Sequence, residues 1–499
     1  MPASETSKSV AVGVAQQTHH SSHASYAQAT TFYKQLLTEW AATPTVSFDE
    51  IDDEMDGAIS PSAVPVRLGI STPVRAAGRL RSDNIIRLMK AAGFAVTTTS
   101  NSPVSGAYSH ALIPVATDAL FPWSTFLVHM GGASIMKRIV ADARLSSLTL
   151  SGDKNAVGRF ETNGIAGHEE VAVGTETNTA DSSPVLRTVE GSFAIYNQTY
   201  STKLTTALTG GSGTTAVVSS TAGFPASGSI RIAGEGANPT EVIAYSAIAN
   251  ATTFTITTPV SSHAIGAAVY SPAYTTTTLN GALTAGGAST TITVTSTTTF
   301  PAAGSIRIAA EGSNSEETFA YTGKTATTFT GVTPTTSTSA HALGASVYIP
   351  ATFLIGSARN FSVVTANEFS SGDDNFVIGN HEFDWQTWLS MMVTGQVDTV
   401  FNKTAWEAIF YGGVGTAGAS YSFAAMTGNL DLTIKSATMV TGTTPYSMRI
   451  EIPHLSIMQP DDIRASGRSE LRMVLPFRAY TASGLPLIRV TFVNSTASY

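Results

Sequence analysis

The 499-residue sequence contains no cysteine, so disulfides and thiolate-held metals are excluded and stability has to come from packing or assembly. Charge is scarce as well. Only 12% of residues are charged, with 27 basic against 35 acidic residues and a formal net charge of −8. A protein that grips nucleic acid through its phosphates needs clustered Lys and Arg, which disfavours that class without excluding a chain that lets DNA pass. No apolar run reaches the ~18 residues of a membrane helix, and residues 1–30 lack the basic start and apolar stretch of a secretory signal. The expectation is a soluble protein made in a cytoplasm. Long helix patterns are rare too. Thr, Ser, Ala and Gly abound, a composition that suits sheets and turns, while 42% hydrophobic and 8% aromatic residues rule out a disordered chain. Length alone predicts three or four domains.

What the sequence does have is an internal repeat. Phe224-Pro225, Gly228-Ser229-Ile230-Arg231-Ile232-Ala233, Glu235-Gly236, Tyr245, Thr253-Phe254-Thr255 and His263 to Tyr270 recur in order as Phe300-Pro301, Gly304-Ser305-Ile306-Arg307-Ile308-Ala309, Glu311-Gly312, Tyr321, Thr328-Phe329-Thr330 and His341 to Tyr348. In each copy Phe-Pro is expected to start a hairpin, Gly228 or Gly304 to permit its turn, and the alternating isoleucines to point into a small core. The equivalent His263 and His341 read as loop histidines bonded to local backbone, since no second metal-type ligand recurs beside them. The pair spans 204–274 and 275–350 and interrupts a domain whose strand at Val185–Asn197 resumes at Thr352–Val363. An insertion of this kind is tolerated where its ends lie close together on the surface.

Outside the repeats, residues 1–45 read as an N-terminal arm. His19, His20 and His23 sit in its polar part, with a short apolar patch at Phe32 to Trp40 on a possible helix or docking segment. The acidic run Asp49 to Asp56 lacks the Gly and terminal Glu of a calcium loop and reads as solvated. A first domain is expected over 46–183. It holds one helix at Ser82 to Gly93, capped by Ser82 or Asp83, with Ile85, Leu88, Met89 and Ala92 as its apolar face. Strands are expected at Tyr108–Pro114, Ser124–His129, Ala143–Leu150 and Val157–Glu161. A second, discontinuous domain is expected over 184–203 and 351–499. Its predicted helices are Trp385–Thr394, capped by Asp384 and stopped by Gly395, and a capping-box segment from Thr404 to Gly412. Strands follow at Leu430–Val440, Tyr446–Met458, Ser469–Tyr480 and Leu485–Asn494, several alternating as half-buried antiparallel strands do. The two outer parts match each other in outline, in an order consistent with a diverged duplication. The fold class read from this is mainly β: two tandem β-sandwich or barrel domains, each with a short helix, plus two small inserted β modules.

The segments Tyr108-Ser109-His110-Ala111-Leu112-Ile113-Pro114 and Leu145-Ser146-Ser147-Leu148-Thr149-Leu150, and above all the end of the chain, carry a family resemblance. That end runs through Tyr446 to Pro453, a Gly467-centred turn, Leu475-Pro476-Phe477-Arg478-Ala479-Tyr480 and Val490 to Tyr499. It resembles the major tail tube proteins of long-tailed bacteriophages over most of 50–200 and 352–499. The resemblance implies subunits that join inner sheets into a ring, rings that stack into a virion tail tube, and DNA that passes through the lumen without specific binding. It also implies tape measure, tail terminator and tip proteins as partners. About 350 residues remain once the repeats are removed, enough for two tube domains, which implies a trimer of pseudo-sixfold symmetry, with a hexamer as the alternative. The repeats resemble β modules grafted onto phage virion proteins and are expected to decorate the outside, so that deleting 204–350 should leave assembly intact. Net charge predicts a bore on which Asp and Glu outnumber Lys and Arg.

One stretch argues for an enzyme. Gly379-Asn380-His381-Glu382-Phe383-Asp384 resembles the Gly-Asn-His-Glu signature of metallophosphoesterases, whose Asn and His hold a two-metal centre. The remaining ligands of such a centre are missing: Asp373 lies only a few residues upstream, no Asp-x-His occurs, and His454 is the only later histidine. The segment therefore reads as a turn in which Asp384 starts a helix. A receptor-binding adhesin is a third reading, but the repetitive shaft usual in that class is absent. No enzyme activity, catalytic residue, metal ligand or cofactor site is assigned.

Overall fold

A chain rich in β-branched and small residues with few helix formers favours strands, and the computed structural model of the protein is mainly β. It describes residues 10–22, 26–49, 66–100, 106–130, 136–172, 176–222, 224, 228–235, 238, 240–272, 276–297, 300, 304–308, 317–348, 353–355, 358–370, 386–401, 406, 409, 427–442, 444–458 and 471–499.

The front part begins with β1 (Ala11–Gln17), β2 (Thr31–Gln35), β3 (Leu37–Ala42), β4 (Thr45–Asp49) and β5 (Val66–Arg79). Helix α1 (Asn84–Ala91) follows, then β6 (Phe94–Ser100), β7 (Tyr108–Pro114), β8 (Trp123–Met130), β9 (Met136–Asp153), β10 (Arg159–Ala166), β11 (His168–Val171) and β12 (Thr177–Thr179). The expected arm is corrected here. Ala11–Gln17, Thr31–Gln35 and Leu37–Ala42 are built into the sheets, and the Phe32 to Trp40 patch is two strands rather than a helix. Val12 and Val14 are buried against β8, and Phe32 is fully buried. Helix α1 stands where its apolar period put it. Gly93 ends it with a φ of 87°, a left-handed conformation, as expected of a helix stop. Asp83 at its N-cap makes no side-chain cap bond. Its carboxylate instead accepts the Tyr499 hydroxyl at 2.5 Å and Thr496 Oγ1 at 3.1 Å, tying the last residues to the start of the helix.

Strand β13 (Arg187–Lys203) leads into the first repeat, β14 (Thr215–Val217), β15 (Gly228–Ile232), β16 (Glu241–Asn250), β17 (Thr253–Ile256) and β18 (Ala268–Pro272). The second repeat is β19 (Thr276–Thr278), β20 (Thr291–Thr293), β21 (Gly304–Ile308), β22 (Glu317–Tyr321), β23 (Gly323–Lys324), β24 (Thr328–Thr330) and β25 (Ser346–Tyr348). Each repeat has its own core. Phe224, Ile230, Ile232, Tyr245, Phe254 and Val269 in one correspond to Phe300, Ile306, Ile308, Tyr321, Phe329 and Val347 in the other. Gly228 and Gly304 open strands β15 and β21 rather than forming turns. The repeats differ at one edge. The second closes with its own strand β19 against β25, while the first closes with the end of β13, Lys203 and Thr202 facing Ala268 and Val269 of β18. A single strand thus passes from the body into the first module.

The chain returns through β26 (Phe353–Ile355) beside β13, then β27 (Asn360–Phe369), β28 (Trp388–Val400), β29 (Thr427–Thr441), β30 (Thr444–Ile457), β31 (Arg472–Ala479) and β32 (Arg489–Asn494). The helix expected at Trp385–Thr394 is corrected: Trp388 onward is strand β28, held by β27 on one side and β31 on the other. Pairing on both edges overrides a helical cap signal. Of the Thr404–Gly412 segment only Trp406 and Ile409 are described, both in helical backbone, and Thr404 lies outside the described residues.

The two parts share a plan of strand pairing. The pairs β1–β2, β1–β8, β8–β9, β9–β10, β9–β11, β3–β5 and β5–β10 correspond in order to β13–β26, β13–β29, β29–β30, β30–β31, β30–β32, β27–β28 and β28–β31, all antiparallel. The repeats occupy the connection from β13 to β26, the counterpart of the short connection from β1 to β2. The parts are not separate bodies, since β9 pairs with β27, β7 pairs with β32, and one core cluster contains residues of both.

Candidate functional site: a polar sheet face and a welded insert

Following the pairings, β3, β5, β10, β9, β27, β28, β31 and the end of β30 form a run of eight successive antiparallel strands. Residues directly opposite one another lie on the same face, so each row across the run has one environment. The row Leu37, Gly78, Phe160, Leu150, Val363, Gly395, Phe477 and Ile457 faces the core. Its two halves match, each glycine lying under the phenylalanine of the next strand: a Cβ on Gly78 would come within 2.9 Å of Phe160, and one on Gly395 within 2.4 Å of Phe477. The adjacent row, Glu39, Ala77, Glu161, Thr149, Val364, Thr394, Arg478 and Ser456, is exposed or half-buried.

That outer face is built from small and polar side chains. Its strand residues carry five carboxylates, Glu39, Asp153, Glu161, Glu368 and Asp398, and five guanidiniums, Arg75, Arg79, Arg159, Arg472 and Arg478. Several neutralise each other locally. Arg75 lies 3.3 Å from Glu39 and 3.1 Å from Glu161, and Arg472 lies 3.4 Å from Asp398. With Arg75, Glu39 and Glu161 about half exposed, each such pair stabilises by ~0–1 kcal/mol at most, so its main effect is on the field above the sheet.

A second concentration of polar chemistry lies where the first module meets the back part. Tyr270 is buried and donates its hydroxyl to Glu451 Oε1 at 2.6 Å. Burial first, and then the Glu451 carboxylate, push its pKa well above the ordinary value, so it remains a donor at neutral pH. Arg231 donates to Asn429 Oδ1 at 2.6 Å and stacks 4.0 Å over Tyr196 and 4.5 Å over Tyr270. Arg449 holds Asp431 through two bonds of 2.8 and 2.7 Å and also reaches Thr240 of the module. Burial opposes the charged form of Asp431, yet Arg449 outweighs it and keeps the carboxyl below its usual value. Arg489 donates to the carbonyl of Gly266 at 2.8 Å and lies within 4 Å of Glu235 and Glu451. Ala233, Ala268, Tyr270 and Leu485 form an apolar cluster beside these charges. The module is therefore docked by buried, charge-assisted bonds, not merely carried. A cavity of about 1030 Å³ adjoins this contact, with Asn238 and Thr240 of the module and Asp431 and Lys435 of the body in its lining.

The counterpart loop in the front part docks in the same place by simpler means. Asp142, at a φ of 56° where β9 passes from one layer to the other, accepts Gln17 Nε2 at 2.8 Å and the Ser21 amide at 2.9 Å. His20 of the expected polar arm lies 3.5 Å from Asp142 and edge-on to Trp123 at 4.8 Å, so it packs structurally.

His263 and His341 are buried, and their rings face carboxylates rather than backbone alone: Glu241 at 3.3 Å and Glu317 at 3.2 Å. The same carboxylates take the loop amides of Val260 and Ser261, and of Thr338 and Ser339. These pairs brace the loop before the last strand of each module. A signal for them was present, because Glu241 and Glu317 each stand six residues after the repeated Glu235 and Glu311. Arg231 and Tyr270 were visible in the same way, as repeated polar residues beside core positions. His454 bonds Ser201 at 3.0 Å, and burial lowers its pKa. Gly379 to Asp384, Asp373 and His381 lie outside the described residues. Among the described residues no group of His, Asp and Glu could hold a metal, and no helix is long and apolar enough to cross a membrane. In comparisons with known proteins, no family model and no curated protein matches the chain.

Proposed function

We propose that the protein is a structural subunit that assembles into rings and stacked tubes, the tail tube of a bacteriophage virion, through which DNA passes. The observation that carries this reading is the eight-strand run, four strands from each of two parts with corresponding pairings, polar on one face and packed on the other. A run made of two like halves joined edge to edge is already one third of a closed ring.

Three copies make a 24-stranded barrel. With strands about 4.8 Å apart and tilted by about 40°, its wall is about 150 Å around and about 48 Å across, or about 38 Å inside once side chains are allowed for. That bore admits duplex DNA. Six copies would double the strand count and roughly double the bore, which favours the trimer over the hexamer. Closure also removes the exposed edges that make an open sheet prone to uncontrolled pairing. On this reading the bore is lined by balanced, locally paired charge rather than the carboxylate excess expected from the net charge. Equal numbers of acidic and basic strand residues, with Arg75 and Arg472 held by carboxylates, suit passage of DNA with little binding. Tape measure, terminator and tip proteins are the partners such a tube requires. The inserted modules lie away from the bore, the first as a fixed part of the wall and the second as the outer decoration.

Negative-stain microscopy and native mass of the purified chain test the proposal. Rings or tubes and a species of three times 51.8 kDa are expected. Monomeric globules at high concentration would refute it.

A further inference from the structure

Leu36 and Met458 are two of the large apolar side chains left exposed, at 37% and 52%. Their places in the strand pairing are equivalent to those of two residues that touch. The core-facing row aligns Leu37 with Val363 and Ile457 with Leu150, through the matching glycine and phenylalanine of each half. Stepping one residue along, Leu36 is the counterpart of Ser362, and Met458 the counterpart of Ser151. Two contacts confirm the register. A Cβ on Gly78 would meet the carbonyl oxygen of Leu36, as one on Gly395 would meet that of Ser362. Met458 donates its amide to Pro476, which stands where Arg159 stands opposite Ser151. Within the chain, Ser362 and Ser151 are directly paired in the β9–β27 junction.

We infer that a second copy of this chain adds to the free edge of β3 as β9 adds to β27, with Leu36 of one copy covering Met458 of the next. Among the described residues β3 pairs only with β5, so its other edge is open. On β30, β29 pairs as far as Ser456 among the described residues, so the contact is placed at Ile457 and Met458. β11 adds a second edge on the same flank. Its counterpart β32 pairs with β7, while β11 pairs only with β9 among the described residues and leaves Val171 72% exposed. The contact joins unlike surfaces, so it repeats from copy to copy instead of closing a twofold dimer, and it makes a ring where the rotation closes. The inference rests on the ring reading and specifies which edge carries it and in what register.

The absence of cysteine gives a clean test. Opposed positions on paired antiparallel strands bring Cβ atoms close enough for a disulfide. The full-length double variant Leu36→Cys/Met458→Cys is oxidised and run on a non-reducing gel, with each single variant beside it. Covalent dimers and trimers from the double variant alone are expected. Ser151→Cys/Ser362→Cys is the internal reference and should close within one chain, giving a faster-migrating monomer. Micrographs of the same samples separate the two claims. Intact rings without cross-linked chains, while the reference pair closes, overturn this register and leave the ring reading standing. Cross-linked chains without rings support the edge pairing and overturn the ring. Neither rings nor cross-links overturns both.

Discussion

The bond from Tyr270 to Glu451 is the sharpest test of whether the first module is part of the wall. Tyr270→Phe removes one oxygen, keeps the buried ring and creates no cavity, but leaves Glu451 Oε1 without its 2.6 Å donor in a site where the residue is only 4% exposed. Arg489, 3.8 Å from the other carboxylate oxygen, does not replace that bond. Loss of a hydrogen bond to a buried charged group costs roughly 1.5–3 kcal/mol. Part of any measured loss comes from the phenol itself, so the informative quantity is the coupling in a double-mutant cycle with Glu451→Met, which has similar length, no charge and only a weakly accepting thioether. Urea unfolding of the full chain should give a coupling of about 1.5–3 kcal/mol, while Tyr245→Phe, whose ring lies in the module's own core, should combine additively with Glu451→Met to within ~0.5 kcal/mol. A coupling below ~0.5 kcal/mol for Tyr270 and Glu451 would mean that the module only rests on the body, and the assignment of the first module to the wall would fall.

The other expected outcomes concern the modules and the eight-strand run. Deleting 275–350 should leave the melting temperature and assembly unchanged, whereas deleting 204–350 should lower the melting temperature, because it also removes Arg231, Tyr270 and the partner strand of the end of β13; equal effects in differential scanning would contradict the asymmetry. Gly395→Ala should destabilise by ~1–3 kcal/mol and Gly78→Ala by less, since the new Cβ meets the Ser362 carbonyl at 2.3 Å in one case and the Leu36 carbonyl at 3.0 Å in the other, and chemical denaturation reads the difference. Glu317 gives a pH signature. Burial works against its charge, but bonds from Ser337, Thr338 and Ser339 bring its pKa from 4.5 down to about 2. A depressed folded-state pKa contributes stability that is present above the unfolded value and lost as pH falls from about 4.5 toward 2. The protection of the mutually bonded Ala320 and Thr333 amides, taken relative to the intrinsic exchange rate at each pH, should therefore fall across that window in the wild type, and the gap in protection to Glu317→Gln should close there; a constant gap would refute the assignment.

Much of this fold is legible in the sequence where one residue sees one environment. Helix α1 could be read because Ile85, Leu88 and Met89 all face one core. The repeats could be read because both keep the same six core positions. The misses share a different cause. The expected helix Trp385–Thr394 has a start signal in Asp384 and a glycine stop, yet Gly395 is needed for a close approach to Phe477 inside a sheet, a requirement set by a strand some eighty residues later. Val12 and Val14 look like part of a polar tail, since β8, the strand that buries them, lies more than a hundred residues away. The eight-strand run is invisible for the same reason. Its rows join residues from Glu39 to Arg478, and no local period records which strands become neighbours.

The corresponding pairings explain why the insertion sits where it does. In the front part the connection from β1 to β2 is thirteen residues long, 18–30, and reaches the body through Ser21 on Asp142. In the back part the same connection holds both modules, and the surface beneath it is rebuilt with Asp431, Glu451, Arg449 and Arg489 to receive one of them. An insertion that only decorated the outside would leave that surface solvated, because removing charges from water is favourable only when every one of them is paired. Here the pairing crosses from module to body at Tyr270, Arg231, Thr240 and Gly266. The first module has therefore become part of the domain that it interrupts, and the second, closed by its own strand β19, is the one that can vary without disturbing that domain.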